Sequence, residues 1–255
     1  MTSSYEQFHQ RRIDWTIDML RRHHAERVIE MGGHPWVMTR RLLEAGIDVP
    51  ATISAEECLL WPDQLPIKKT QKEIDLSNGD RHVFTNYSAN LERSRFAVDE
   101  KANAVLATEI IEHMVRAPHV LLLNANDWLD IGGLLLLTTP NGASFQNPMR
   151  IKSRCNAFRY QIYERHTYTF ERRDLEQLIT LCGFDVIESG FTSDYPRQGP
   201  SRVYDVLARI PLDYMQNLFQ RTVYVIACKR ESLTMLPKRP SVYAPGQWEY
   251  IEPAS

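Results

Sequence analysis

Short apolar runs of strand length alternate with helix-period segments along most of this chain, and that alternation leaves few folds open. "RVIEM" (27–31) reads as a buried strand, and the stretch from Trp36 to Ala45 reads as a helix ended by Gly46. "DVPATIS" (48–54) is a second strand, although Pro50 argues against a fully paired central position. Residues 55–80 are polar and turn-rich. "HVFTNYSANL" (82–91) reads as a third strand and "ANAVLATEII" (102–111) as a fourth. The largely helical "EHMVRAPHVLLLNANDWL" then leads through a glycine turn to a fifth strand in "IGGLLLLTTPNG". "RRDLEQLITLCGF" is a helix stopped by Gly183, and "DVIESGF" and "RTVYVIACKR" are the final strands. A helical insert, "SRVYDVLARIPLDYMQNLF", separates those two. The expected fold class is α/β, a mostly parallel seven-stranded sheet with helices on both faces, whose last strands allow an antiparallel edge.

In such a sheet, ligands bind beyond the carboxyl ends of the strands. That rule places Glu30 to Trp36, Thr108 to His113 and Thr139 to Gly142 on one rim. Before the first strand, Tyr5 to Ala25 makes a helix with Ile13, Ile17 and Leu20 on one face. The organisation expected is an N-terminal helix (1–25), one domain (26–232) and an extended tail (233–255) rich in proline. Within the domain, residues 143–171 form an active-site lid and residues 196–219 the helical insert.

Bulk properties exclude several classes of function. With 30 basic and 32 acidic residues among 255, the formal net charge is -2, and no basic tract offers an electrostatic footprint for nucleic acid. The apolar runs are too short to span a bilayer and the N-terminus has no signal-peptide core, so a cytoplasmic protein is expected. Its four cysteines include no Cys-x-x-Cys pair, which argues for reduced thiols rather than a zinc site.

Four segments, in this order, carry a resemblance. "VIEMGG", "NAVLATEIIEHM", "WLDIGGLLLLTTPNG" and "HTYTFERRDLEQLITLCGFDVIE" resemble the first strand and turn, the fourth strand with its Glu-x-x-Glu-His run, the fifth strand ending in Pro-Asn, and the segment closing the active site in class I S-adenosylmethionine-dependent methyltransferases. The small-molecule group that includes the ubiquinone-type O-methyltransferases is the nearest in pattern. The resemblance covers about residues 25 to 230. It implies a Rossmann-like methyltransferase fold, S-adenosylmethionine as cofactor, and methyl transfer to a small-molecule acceptor, expected to be a hydroxyl of a sugar, aromatic or natural-product-like compound.

It also implies a distribution of roles. Glu30, Gly32, Gly33 and His34 fall at the first turn. Thr52 and Ser54 fall where a ribose partner belongs, Asn86 near the adenine, and Thr108 beside the cofactor. His113, Glu109 and His166 are the candidates for removing a proton from the acceptor, a task that suits a near-neutral imidazole. Asn141, Tyr163 and Tyr168 are the candidates for holding the acceptor. The spacing matches no dedicated metal motif. Expected partners are the acceptor and either a second copy of the chain or a partner methyltransferase, with no nucleic acid and no membrane.

Two departures from the family pattern keep an alternative open. Glycine usually stands at the positions of His34 and Trp36, where it permits close backbone approach. No acidic residue stands at the ribose position. The alternative is a methyltransferase-like protein that no longer binds S-adenosylmethionine and serves as a binding or scaffold partner, or runs a changed chemistry.

Overall fold

A computed structural model describes residues 4–54, 67–93, 95–114, 117–144, 169–192, 206–207 and 209–243. Eight strands form one sheet in the order β3-β4-β2-β1-β5-β6-β8-β7. They are β1 (Arg27–Met31), β2 (Asp48–Ser54), β3 (Lys68–Asp75), β4 (Arg81–Ser88), β5 (Ala104–Thr108), β6 (Leu134–Pro140), β7 (Phe184–Thr192) and β8 (Thr222–Lys229). The strands from β4 through β2, β1 and β5 to β6 run parallel, and both edges are antiparallel.

The sheet has one strand more than the seven expected. The addition is β3, inside the polar stretch read as turns, where it pairs with β4 in a hairpin whose tip contains Gly79. "KKTQKEID" carries no apolar alternation because it is an edge strand, exposed at nearly every second residue. Charged side chains on such an edge discourage pairing with foreign strands. Pro50 required a second correction, since β2 lies between β1 and β4 after all. The ladder to β1 is irregular between Arg27 and Ile29, and the pairing with β4 begins at Ala51, so the missing N–H falls where the ladders are interrupted.

Helices cover both faces. α1 (Ser4–Arg22) and α2 (Val37–Glu44) pack Ile13, Ile17, Leu20, Met38 and Leu42 against Val28, Val49, Leu106 and Leu136. α3 (Pro118–Trp128) and α4 (Arg172–Leu181) pack Leu121, Leu122, Leu175, Leu178 and Ile179 against Ile29, Ile53, Val105 and Leu137. A short 3-10 turn (Ile111–His113) follows β5, and α5 (Asp213–Phe219) lies within the expected helical insert. Burial from both sides explains why β1, β5 and β6 read as continuous apolar runs.

α4 stops at Gly183, whose φ is +86; a Cβ there would lie 2.7 Å from the carbonyl oxygen of Glu231. Beyond β8, the described residues up to Tyr243 pack against the domain. Leu236 and Tyr243 are buried. The Arg95 guanidinium donates to the carbonyls of Leu233 and Thr234, and the Tyr243 hydroxyl sits 2.7 Å from Nδ1 of His119. Among the described residues no helix is long and apolar enough to cross a membrane.

Candidate active site

The turn after β1 is built from its backbone. The N–H groups of Gly32 and Gly33 both donate to the carbonyl of Ile53, at 2.8 and 3.3 Å, which ties the turn to the end of β2. Gly32 has φ +77, a conformation L side chains rarely adopt, and a Cβ on it would lie 2.9 Å from Cδ1 of Ile110. Its exposed backbone therefore faces the segment that follows β5.

Trp36 caps α2 with φ 61 and ψ 24, also left-handed. The backbone at Trp36 thus keeps a shape that glycine takes most easily, although the residue is tryptophan. Its indole turns down onto the sheet. It meets the Phe84 ring edge-on at 6.1 Å between centroids, lies beneath the Lys72 ammonium at 5.0 Å, and touches the His34 ring at 5.2 Å. Phe84 and Lys72 are paired partners in the middle of β4 and β3, well short of the carboxyl end of β4 at Ser88. The indole therefore rests on the face of the sheet behind the rim.

Several candidate residues lie beneath the turn. Thr52, Ser54 and Asn86 are buried, and they bond to one another: Thr52 Oγ1 donates to Asn86 Oδ1 at 2.8 Å, and Asn86 Nδ2 donates to Ser54 Oγ at 3.0 Å. A Cβ on Gly33 would come within 3.1 Å of Thr52 Cβ, 3.3 Å of its methyl carbon and 3.4 Å of the Trp36 indole, so the turn sits directly on the Thr52 side chain. Glu30 is also buried, and its carboxylate accepts a 2.5 Å hydrogen bond from Thr39 of α2. Burial pushes its pKa up to about 7, against the opposing effects of the Thr39 hydrogen bond and the Arg12 charge.

The opposite wall comes from the ends of β5 and β6. Glu109 follows β5 with φ 53, and its carboxylate accepts from Thr138 Oγ1 at 2.9 Å. Of the three non-glycine residues with positive φ among the described residues, Trp36 and Glu109 both border this rim. Backbone strain of this kind tends to gather at functional sites. Thr139 Oγ1 donates to Glu112 at 3.0 Å. A carboxylate on a first helical turn would ordinarily be solvated, but Glu112 is only 2% exposed. Burial, and then the neighbouring charge of Glu109, hold its pKa well above the usual carboxylate range. The imidazole of His113 is 40% exposed, with Nε2 4.0 Å from the Glu112 carboxylate. Thr108, at the end of β5, is half-buried.

Asn141, expected to hold the acceptor, is tied into the rim by its side chain. It is fully buried; its amide donates to the carbonyls of Asn217 and Gln220 at 2.7 and 3.0 Å, and its Oδ1 accepts from the N–H of Ala143. Its side chain pins the end of α5 to the rim. Asn141→Ala should lower stability by about 1–3 kcal/mol, because it strips buried carbonyls of their donor. Urea unfolding measures the loss, and amide exchange should show it concentrated in Asp213–Phe219. An unchanged midpoint would refute that role.

Glu30, Gly32, Glu109 and Asn141 thus border one end of the sheet, gathered by three parallel strands. His166, Tyr163 and Tyr168, and most of the expected lid, lie outside the described residues. Among the described residues no group of three or more His, Cys, Asp or Glu is placed to hold a metal ion. The hydroxyls of Thr39, Thr138 and Thr139, and the guanidinium of Arg12, were not singled out from sequence. The only hint was the "TTP" ending of an otherwise leucine-only strand.

A family model described as a methyltransferase domain matches residues 7–189. No curated protein sequence matches the chain. Solved structures similar to it include a possible histamine N-methyltransferase from Thermotoga maritima, with TM-score 0.54 and 15% identity, covering 89% of this chain and 93% of that one. A SAM-dependent methyltransferase from Archaeoglobus fulgidus aligns with TM-score 0.50 and 15% identity, over 89% of this chain and 100% of the other. The 1,6-didemethyltoxoflavin-N1-methyltransferase of Burkholderia thailandensis, solved with its acceptor and S-adenosylhomocysteine, aligns with TM-score 0.50 and 12% identity over 89% and 85%. At these identities the likeness is one of fold.

Proposed function

From the premise that the chain belongs to the methyltransferase-domain family, we propose that it transfers a methyl group from S-adenosylmethionine to a hydroxyl of a small-molecule acceptor. The observation that carries this reading is the exposed, left-handed Gly32 turn at the end of β1, set against Ile110 next to Glu109 at the end of β5, with the Trp36 indole resting on Phe84 of β4. A cofactor of this kind fits such a turn, because close backbone approach needs the missing Cβ at Gly32. When bound, it supplies an activated methyl group. The chain's own work is to align the acceptor and to take its proton.

His113 is the residue we assign to the proton. It stands at the rim, partly open to solvent, and Glu112 beside it is held by Thr139. Glu109, fixed by Thr138, is assigned to the cofactor side of the cleft, where a carboxylate suits an ammonium group. Gly33 and His34 complete the turn. Thr52, Ser54 and Asn86 act by supporting it from below.

A second reading has one observation in its favour. Thr52 and Ser54, which fall where the family's ribose carboxylate belongs, carry no charge and are both buried and bonded to Asn86. Losing a charged hydrogen bond costs about 1.5–3 kcal/mol of affinity, which weakens a cofactor site without abolishing it.

The test of the first reading is transfer of label from methyl-labelled S-adenosylmethionine to a panel of phenols, catechols and sugars. His113→Gln should lower turnover by roughly 10²–10⁴, the usual worth of a general base, with S-adenosylhomocysteine affinity unchanged. Full turnover in that variant would remove His113 from the mechanism. Labelled amines with no labelled hydroxyl compound would overturn the hydroxyl assignment.

A further inference from the structure

We propose that α1 clamps the cofactor turn, with Glu6 as the positioning residue that sets how firmly the turn receives S-adenosylmethionine. The proposal rests on the methyltransferase reading for the identity of the ligand, and on the geometry of α1 for everything else.

The turn leaves β1 at Glu30 and enters α2 at Trp36, and α1 reaches both ends. At the exit, Glu6 is 2% exposed and accepts from Nη2 of Arg40 at 2.5 Å, with Nη1 of Arg41 at 3.7 Å from its other oxygen. Arg40 lies one helical turn into α2, and its N–H donates to the carbonyl of Trp36 at 3.0 Å. The grip on Arg40 therefore passes through a single hydrogen bond to the residue that closes the turn. Arg41 is held a second time by Asp14 at 3.2 Å, and Asp14 is itself held by Gln10.

At the entrance, Arg12 is 7% exposed, and its charge acts on the buried Glu30 carboxylate. The next residue, Ile13, packs in one cluster with Val28 of β1 and Met38 of α2, so this stretch of α1 lies against the strand and helix that flank the turn. Thr39, the donor to Glu30, belongs to the same turn of α2 as Arg40. One helix thus supplies an anion to the helix that follows the turn and apolar packing to the strand that precedes it. Buried charges of this kind are costly unless their geometry is kept, which makes them suited to fixing a position rather than to adding stability.

S-adenosylhomocysteine calorimetry well below the unfolding temperature, together with amide hydrogen exchange, tests the clamp. Glu6→Gln should raise the S-adenosylhomocysteine Kd at least tenfold and speed exchange at the amides of Trp36 and Arg40, with exchange in Arg172–Leu181 unchanged. Glu6→Asp should recover most of both effects. Arg40→Met, which removes the partner from its more exposed side, should reproduce the loss if Glu6→Gln fails to fold. A lowered unfolding temperature with Kd and local exchange unchanged would show a purely structural ion pair and overturn the proposal. If the unaltered protein takes no S-adenosylhomocysteine, the methyltransferase reading falls. The exchange rates then decide the clamp alone: faster exchange at the turn upholds it, and unaltered exchange overturns it.

Discussion

Glu30→Gln should stabilise the protein at pH 8 and remove about 2–3 kcal/mol of pH dependence between pH 8 and pH 5. The Glu30 carboxyl is fully buried, and its pKa rises from 4.5 to about 7, chiefly through that burial. The ionised form bears the cost. The unfolded chain gives up this proton near the ordinary carboxylate value, whereas the folded chain keeps it to about 7. The penalty is therefore complete above pH 7 and is relieved as pH falls toward 4.5, so the unaltered protein gains stability on mild acidification. Glutamine carries no charge in either state and retains an acceptor for the Thr39 hydroxyl, so its profile should lack this component. Glu112 shifts in the same direction, and it is present in both proteins, so the difference isolates Glu30. Urea unfolding at half-unit pH steps measures it, and parallel profiles would show that Glu30 does not titrate in this range.

Trp36→Gly is the second change with a large effect, and its two consequences point in different directions. Stability should fall by about 2 kcal/mol. Glycine relieves roughly 1 kcal/mol of left-handed backbone strain at φ 61. Against this stands the loss of indole packing on Phe84 and of the Lys72 contact, together about 3 kcal/mol for a partly buried ring. Cofactor affinity should stay within about threefold, because the ring leans on β4 behind the rim. Thermal unfolding and S-adenosylhomocysteine titration of the same preparation read both quantities. A tenfold gain in affinity would mean that the indole stands in the path of the cofactor, the alternative that the sequence left open.

That contrast shows what the sequence could and could not tell. The tryptophan at position 36 left two readings open; only the backbone angle shows a turn with a glycine-like shape, and only the ring contacts show where the indole lies. The buried strands were legible because β1, β5 and β6 are covered on both faces, which leaves an unbroken apolar signature. β3 was not, since an edge strand needs only backbone partners on one side and can be charged throughout. The rim was legible as three loop segments at the ends of parallel strands. The division of labour within it was not, because sequence spacing does not reveal depth. Glu112 and Asn141 sit on rim segments and Thr52 near the end of β2, yet each is buried and bonded to neighbours in the fold. Glu6 was read simply as part of the N-terminal helix, since its partner Arg40 lies about 34 positions further along the chain.

Calorimetric titration of the unaltered protein with S-adenosylmethionine and S-adenosylhomocysteine, at pH 7 to 8, tests the cofactor assignment most directly. A saturable one-to-one isotherm is expected with Kd in the micromolar range, about -8 kcal/mol, weakened by the missing ribose carboxylate but not lost. Gly32→Val should abolish it, since a branched side chain at φ +77 is strained and would enter the space beside Ile110. No heat and no competition by either ligand at millimolar concentration, from a folded protein, would contradict S-adenosylmethionine-dependent transfer and leave the binding or scaffold reading in its place.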